Sequence, residues 1–227
     1  MGCAMRIGIL GSGLIGAKLG TIFARAGHEV IFSYARSEQK LRKLAEDAGN
    51  ARAGTPREAV ETADAVLVAV HWSRIDDVLK QAGDLSGKVV LTCSLPMNEA
   101  NTELVLAHTV SGAEELARRI PKARVVCAFN TVPSEVLFGV YERRRKAGRP
   151  SLVYCGDDLD GKKVAAGLIH DAGFDSVDAG PLRLARYLEP FALLIGALAY
   201  EGKDGPDLAY RFEHFQDSGG AKRTFRR

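Results

Sequence analysis

Gly11-Ser12-Gly13-Leu14-Ile15-Gly16 is the stretch of this chain whose residue types and spacing have the clearest chemical use. It joins an apolar run at 5–10 to an apolar-periodic run at 14–26, which is the strand–turn–helix setting of a dinucleotide-binding turn. Gly11 would allow the tight turn and Gly13 would let the backbone approach a pyrophosphate. Gly16 would let the helix pack closely on the strand. The phosphates would rest on the amides and the positive dipole end of the helix that opens at Leu14 and Ile15.

The residues after the second strand select the nucleotide. An NAD site places Asp or Glu there to hold the ribose 2′-hydroxyl. Here the stretch is Phe32-Ser33-Tyr34-Ala35-Arg36-Ser37, with no acid before Glu38. Arg36 could fork onto a 2′-phosphate, assisted by Ser33, Ser37 and Lys40. Losing one such charged contact costs about 1.5–3 kcal/mol, roughly tenfold to a hundredfold in affinity. This favours NADP(H). The alternative is a solvated Arg at the start of a helix.

Other candidates lie where further strands end. Val70, His71 and Trp72 follow the apolar run at 65–70 (AVLVAV). Trp72 could wall a nicotinamide pocket and His71 could hydrogen-bond substrate or cofactor; both could equally be packing residues at a corner. Asn130, Thr131 and Pro133 follow the run at 124–128, and the amide and hydroxyl could orient a carboxamide or a flat polar substrate. His71, Asn130 and Thr131 are thus the candidate catalytic side chains. No Ser-Tyr-Lys constellation of the short-chain-reductase spacing is present. No metal-ligand cluster is present either: Cys3, Cys93, Cys127 and Cys155 are far apart and form no C-x-x-C pair, so they read as small buried hydrophobes. Arg143-Arg144-Arg145-Lys146 is the one dense basic run, either solvated surface or a landing site for an anionic substrate tail.

The elements that must position these residues alternate along the chain. Strands are predicted at 5–10, 29–33, 65–70, 88–93, 124–128, 151–155 and 174–178. Helices are predicted at 14–26, 38–48, from a Thr55 cap and Pro56 onward, at 72–81, within 103–120, at 134–141 and at 160–172. The order implies an α/β fold, a Rossmann-type doubly wound parallel sheet over 1–180. Residues 181–215 read as a small C-terminal helical appendage. Its Leu/Ala-rich helix at 182–200 is one that Pro190 would kink or end, and a second short helix follows at 207–214. Residues 216–227 read as a disordered basic tail.

Composition sets the remaining bounds. The chain has 227 residues, 46% hydrophobic and 26% charged, enough to fill a core. Its net charge of +3, with no basic stripe interleaved with aromatics, argues against nucleic acid. The longest apolar run, at 191–200, is about half of a membrane span, and the N-terminus lacks a signal-peptide layout. A cytoplasmic protein without a membrane partner is the expectation.

Several blocks resemble the NADPH-dependent reductases of the deazaflavin coenzyme F-420, a fold shared with the reductase domain of six-transmembrane metalloreductases. MRIGILGSGLIG and GHEVIFSYAR match the family's cofactor end, ADAVLVAVHW its fourth strand and turn, and VVCAFNTVP its substrate-facing segment. CGDD, KKVAAGLI and VDAGPLRLARYLEP are the more specific blocks. The resemblance implies NADP(H) as cofactor, with Gly11 to Gly16 on the pyrophosphate and Arg36 on the 2′-phosphate. His71 and Trp72 would lie near the nicotinamide, and Asn130, Thr131 and Pro133 at the acceptor pocket. It also implies a homodimer formed through the C-terminal helix. Tyr34-Ala35 departs from the family's second Ser or Arg beside the arginine, and residues 135–150 do not match closely.

The expected activity is hydride transfer between NADP(H) and coenzyme F-420. The alternatives are reduction of another small-molecule redox acceptor (a free flavin, a ferric chelate, an imine or ketone with His71 as proton donor) or NADPH sensing without turnover. No dedicated acid stands out. That suits exchange between two delocalised rings, which needs less proton donation than forming an alkoxide.

Overall fold

The computed structural model describes residues 4–213. Eight strands and eight helices alternate among them: β1 (Arg6–Leu10), α1 (Leu14–Arg25), β2 (Glu29–Ser33), α2 (Glu38–Ala48), β3 (Ala51–Ala53), α3 (Pro56–Glu61), β4 (Ala65–Val68), α4 (Ile75–Ala82), β5 (Val89–Thr92), α5 (Gly112–Arg119), β6 (Arg124–Cys127), α6 (Val136–Glu142), β7 (Ser151–Gly156), α7 (Leu159–Asp171), β8 (Asp175–Asp178) and α8 (Ala185–Tyr200). The strands form one sheet in the order β3-β2-β1-β4-β5-β6-β7-β8. Central strands β1, β4 and β5 are almost wholly apolar and buried, as strands covered on both faces must be. One core packs α1, α2, α6 and α7 on one face of the sheet; a second packs α3, α4, α5 and α8 on the other.

The strand order reverses between β1 and β4, which lie side by side in parallel register although five elements separate them in sequence. That switch point opens a crevice beyond the carboxyl ends of the strands, where open α/β sheets bind ligands. Gly11 lies in it at φ +111, where a side chain is strained. A Cβ on Gly16 would overlap the Gly11 carbonyl oxygen, so only glycine lets α1 start so close to the end of β1.

Several expectations need correction. The sheet is not wholly parallel: β7 runs antiparallel to β6, pairing Cys127 with Cys155, and β8 is parallel to β7. A short third strand, Ala51–Ala53, extends the sheet beside β2. Within 103–120 only Gly112–Arg119 is helical, started by a Ser111–Glu114 capping box. Pro190 does not end α8, because Leu188 and Glu189 are buried around it and hold the helix in place. The short helix predicted at 207–214 does not form over 207–213: Tyr210 accepts from Ser151 N at 2.8 Å and the Phe212 amide donates to Ser151 Oγ at 2.9 Å. The backbone is satisfied by the start of β7 instead of by its own turns. His214, the tail at 216–227 and Cys3 lie outside the described residues. Cys93, Cys127 and Cys155 are free and buried. No helix among the described residues is long and apolar enough to cross a membrane.

Candidate functional site

The turn between β1 and α1 is stripped of side chains where a ligand would approach. Gly13 is the N-cap of α1, yet no side chain caps the helix and no acid occupies its first turn. By contrast α2, α3, α5 and α7 are capped by Ser37, Thr55, Ser111 and Asp158. The free amides of α1 therefore remain available to an anion. Nothing lies within 4 Å of where a Gly13 Cβ would stand, so the approach is open. Leu14 is 72% exposed beside it. Ser12 is buried; its hydroxyl donates to the Ser33 carbonyl at 3.0 Å and its amide to the Tyr34 carbonyl at 3.4 Å, which fixes the turn.

At the end of β2 the predicted set separates. Arg36 and Ser37 are exposed, and the Ser37 hydroxyl accepts from Lys40 N at 3.3 Å as the cap of α2. Ser33 is not a phosphate partner. It is fully buried and its hydroxyl donates to Ile9 O at 2.7 Å, because the last residue of β2 points into the sheet. Tyr34 turns at φ +57 and donates its hydroxyl to Asp77 at 2.5 Å; burial first, then that bond, pushes its pKa up to about 12.

Beyond Gly13 the crevice widens into a cavity of about 460 Å³. Leu14, Ile15, Val70, Leu95, Met97 and Val132 supply an apolar wall, and Pro133 joins them. Its polar members include His71, Ser94, Asn130 and Ser134. Ser94 is occupied, donating to Val70 O at 2.7 Å. Asn130 is 7% exposed and donates to Cys127 Sγ at 3.3 Å. Its Oδ1 is the one buried side-chain oxygen or nitrogen among the described residues with no partner. A buried amide oxygen left unpaired costs about 1–3 kcal/mol, and a ligand N–H would recover it.

His71 lines the cavity with both ring nitrogens engaged. Ser73 N points at Nδ1 (3.3 Å), and Ser73 Oγ is 2.9 Å from the same nitrogen. Nδ1 must therefore accept, which assigns the proton to Nε2, 3.3 Å from the Asn98 carbonyl. His71 anchors the loop that carries Met97 and Asn101 into the cavity wall, and its ring has no proton to spare for an acceptor.

Two predicted residues are not in the cavity wall. Trp72 is half-buried, packs against the second core with the Arg119 guanidinium of α5 5.2 Å from its ring centroid, and does not wall the cavity. Thr131 is fully buried, shares a 2.7 Å hydrogen bond with the Tyr210 hydroxyl and does not line the cavity.

Other wall residues have no local signal in the sequence. Ala192, Ile195, Gly196 and Tyr200 of α8 close the cavity on its far side. The Tyr200 hydroxyl donates to Glu135 Oε2 at 2.7 Å. Burial, then this bond, raises the Tyr200 pKa to about 12. Burial pushes the Glu135 carboxyl up, but hydrogen bonds from Tyr200, its own amide and Ser134, with Lys18 nearby, outweigh it and hold the group below the usual range. Lys18 Nζ donates to Ser134 O at 3.0 Å, tying α1 to the same corner.

Comparison with known proteins bears on the fold and the family. Residues 6–96 match the family model described as NADP oxidoreductase, coenzyme F-420-dependent. The metalloreductase STEAP3 of Rattus norvegicus is 29% identical over 190 residues, 84% of this chain; the chain spans 37% of that protein's length. A crystal structure from Arthrobacter sp. FB24, described as a candidate F-420-dependent NADP reductase, superposes with a TM-score of 0.81 at 23% identity, covering 93% of this chain and 100% of that one. A reductive aminase from Aspergillus terreus, solved with NADPH and ethyl levulinate, gives a TM-score of 0.63 at 17% identity over 86% of this chain and 61% of its own. The fold is the α/β Rossmann type, and the resemblance read from the sequence holds.

Proposed function

We propose that this chain is an NADP-dependent oxidoreductase that passes hydride between NADP(H) and the deazaflavin coenzyme F-420, the coenzyme of the family whose model matches residues 6–96. The observation that carries this reading is the cavity itself. It is apolar, it adjoins the open glycine turn, and its imidazole has both nitrogens engaged. Such a site suits two flat rings that exchange hydride with little need of a proton donor.

When bound, NADPH supplies the hydride. The chain's own residues bind, orient and dry the site. The uncapped first turn of α1 and Gly13 take the pyrophosphate, and exposed Arg36 takes the 2′-phosphate, with Ser37 beside it. Asn130 Oδ1 accepts from a carboxamide N–H, a bond that nothing in the chain itself satisfies. Val132, Leu95 and Ile195 exclude water, so that alignment and contact supply most of the rate effect. Purified protein, NADPH and coenzyme F-420 test this together. Loss of the reduced-nicotinamide absorbance, much slower with NADH, is the expected result. Turnover with other acceptors but none with coenzyme F-420 would reject it.

One observation favours a second acceptor class. Tyr200 sets a hydroxyl on the cavity wall, and turned away from Glu135 it would offer its proton to an imine or carbonyl acceptor. Tyr200→Phe separates the two readings: it would spare deazaflavin reduction and abolish that of a carbonyl or imine.

A further inference from the structure

A second cavity, of about 780 Å³, opens beside the end of α6. The loop after α6 contributes Arg143, Lys146 and Arg149, the turn before β8 contributes Gly173, and the segment 207–211 contributes Arg211. The topology brings these to the cofactor end of the sheet. Since β7 runs antiparallel to β6 from the Cys127–Cys155 pair, the chain preceding Ser151 extends past the carboxyl end of β6. β8 is parallel to β7, so Gly173 arrives at the same end. A parallel β7 would have sent the basic run to the opposite edge of the sheet.

The two cavities meet at one corner. Ser134 lines the first and Glu135 the second, and Glu135 is hydrogen-bonded to Tyr200 of the first. Four cations line the second cavity against the carboxylates of Glu135 and Asp207. Glu135 is already taken by Tyr200 and Ser134. Arg149 reaches the His170 carbonyl at 3.5 Å and Arg211 pairs with Glu213 at 3.3 Å. Arg143 and Lys146 form no ion pair among the described residues. Like charges gathered around a concavity repel one another, and an anion in the cavity relieves that repulsion.

We propose that this second cavity binds the anionic extension, phosphate or carboxylate, of a hydride acceptor whose ring occupies the first cavity. The inference rests on reading the first cavity as the hydride site. It gives the basic run at 143–146 a use, and it makes the charged part of the acceptor a determinant of affinity.

The test compares riboflavin with flavin mononucleotide, one ring without and with a phosphate, on NADP⁺-saturated protein, by quenching of flavin fluorescence. The parent protein is expected to bind flavin mononucleotide at least about tenfold more tightly than riboflavin. The double variant Arg143→Ser, Lys146→Ser should bring the two to near parity through loss on the phosphate side alone, with the affinity for NADPH and the melting temperature unchanged. Competition by inorganic phosphate and by citrate at matched ionic strength then separates the two anion classes. Equal affinity for both flavins in the parent, an equal loss for both in the variant, or binding of neither flavin would overturn the proposal. A phosphate preference without NADPH oxidation by any acceptor would support the anion site while rejecting the hydride-transfer reading, so the two failures remain distinct.

Discussion

The Tyr200 hydroxyl donates to Glu135 Oε2 at 2.7 Å, joining residues that lie 65 positions apart in the chain. This bond ties the end of α8 to the segment after β6 and closes the wall of the cavity. Tyr200→Phe should therefore loosen α8 modestly, by about 1 kcal/mol, the usual net value of one such hydrogen bond. Thermal melting checks the stability term. Steady-state rates with a deazaflavin and with an imine check whether the hydroxyl also delivers a proton.

Gly13 and Gly16 should fail in different ways. A Gly13 Cβ meets nothing within 4 Å, so Gly13→Ala should melt like the parent yet lose at least about tenfold in NADPH affinity, because the added methyl stands where a phosphate would approach. A Gly16 Cβ collides with the Gly11 carbonyl, so Gly16→Ala should lower stability by roughly 1–3 kcal/mol as well as weaken binding. Equal melting temperatures for the two variants would contradict this division.

Arg36→Ala should raise the dissociation constant for NADPH by roughly tenfold to a hundredfold and leave NADH unchanged. Calorimetric titration with both nucleotides measures the ratio directly. A parallel loss for both would mean that Arg36 does not read the 2′-phosphate.

Glu189 gives stability a pH dependence. Its buried carboxyl accepts from the Gly112 and Ala113 amides at 2.8 and 2.9 Å, where α8 meets the start of α5. Burial pushes its pKa up to about 7, against the pull of those two amides and with a small push from Glu114. The folded state thus holds this proton more tightly than the unfolded chain. Its contribution is present below the ordinary Glu range and is lost as pH rises towards 7. Glu189→Gln should flatten the fall in melting temperature between mildly acidic and neutral solution. An unchanged slope in the variant would assign the dependence to other groups.

Much of the cofactor half was legible because its signals are local. The strand–glycine–helix order, the Thr55 cap followed by Pro56 and the apolar run of β4 each specify their own structure within a few residues. Side-chain direction was less legible. Ser33 and Thr131 have the right hydroxyls at strand ends, but which way each hydroxyl faces is decided by Ile9 and by Tyr210, the latter 79 residues away. The reversal of β7 was invisible for a similar reason: a strand buried along its length reads the same in either direction. The Leu/Ala-rich pattern of α8 announced a packed helix. That it closes the cavity with Ile195 and Tyr200 depends on where the sheet ends beneath it.

The most direct test of the central claim is label transfer within the protein. NADPH deuterated at the transferring carbon, incubated with the protein and coenzyme F-420, should pass deuterium to the deazaflavin ring, with the product identified by mass spectrometry. Deuterium recovered in the reduced deazaflavin is the predicted result. Deuterium that remains in the nicotinamide, with no reduced deazaflavin formed, would contradict it.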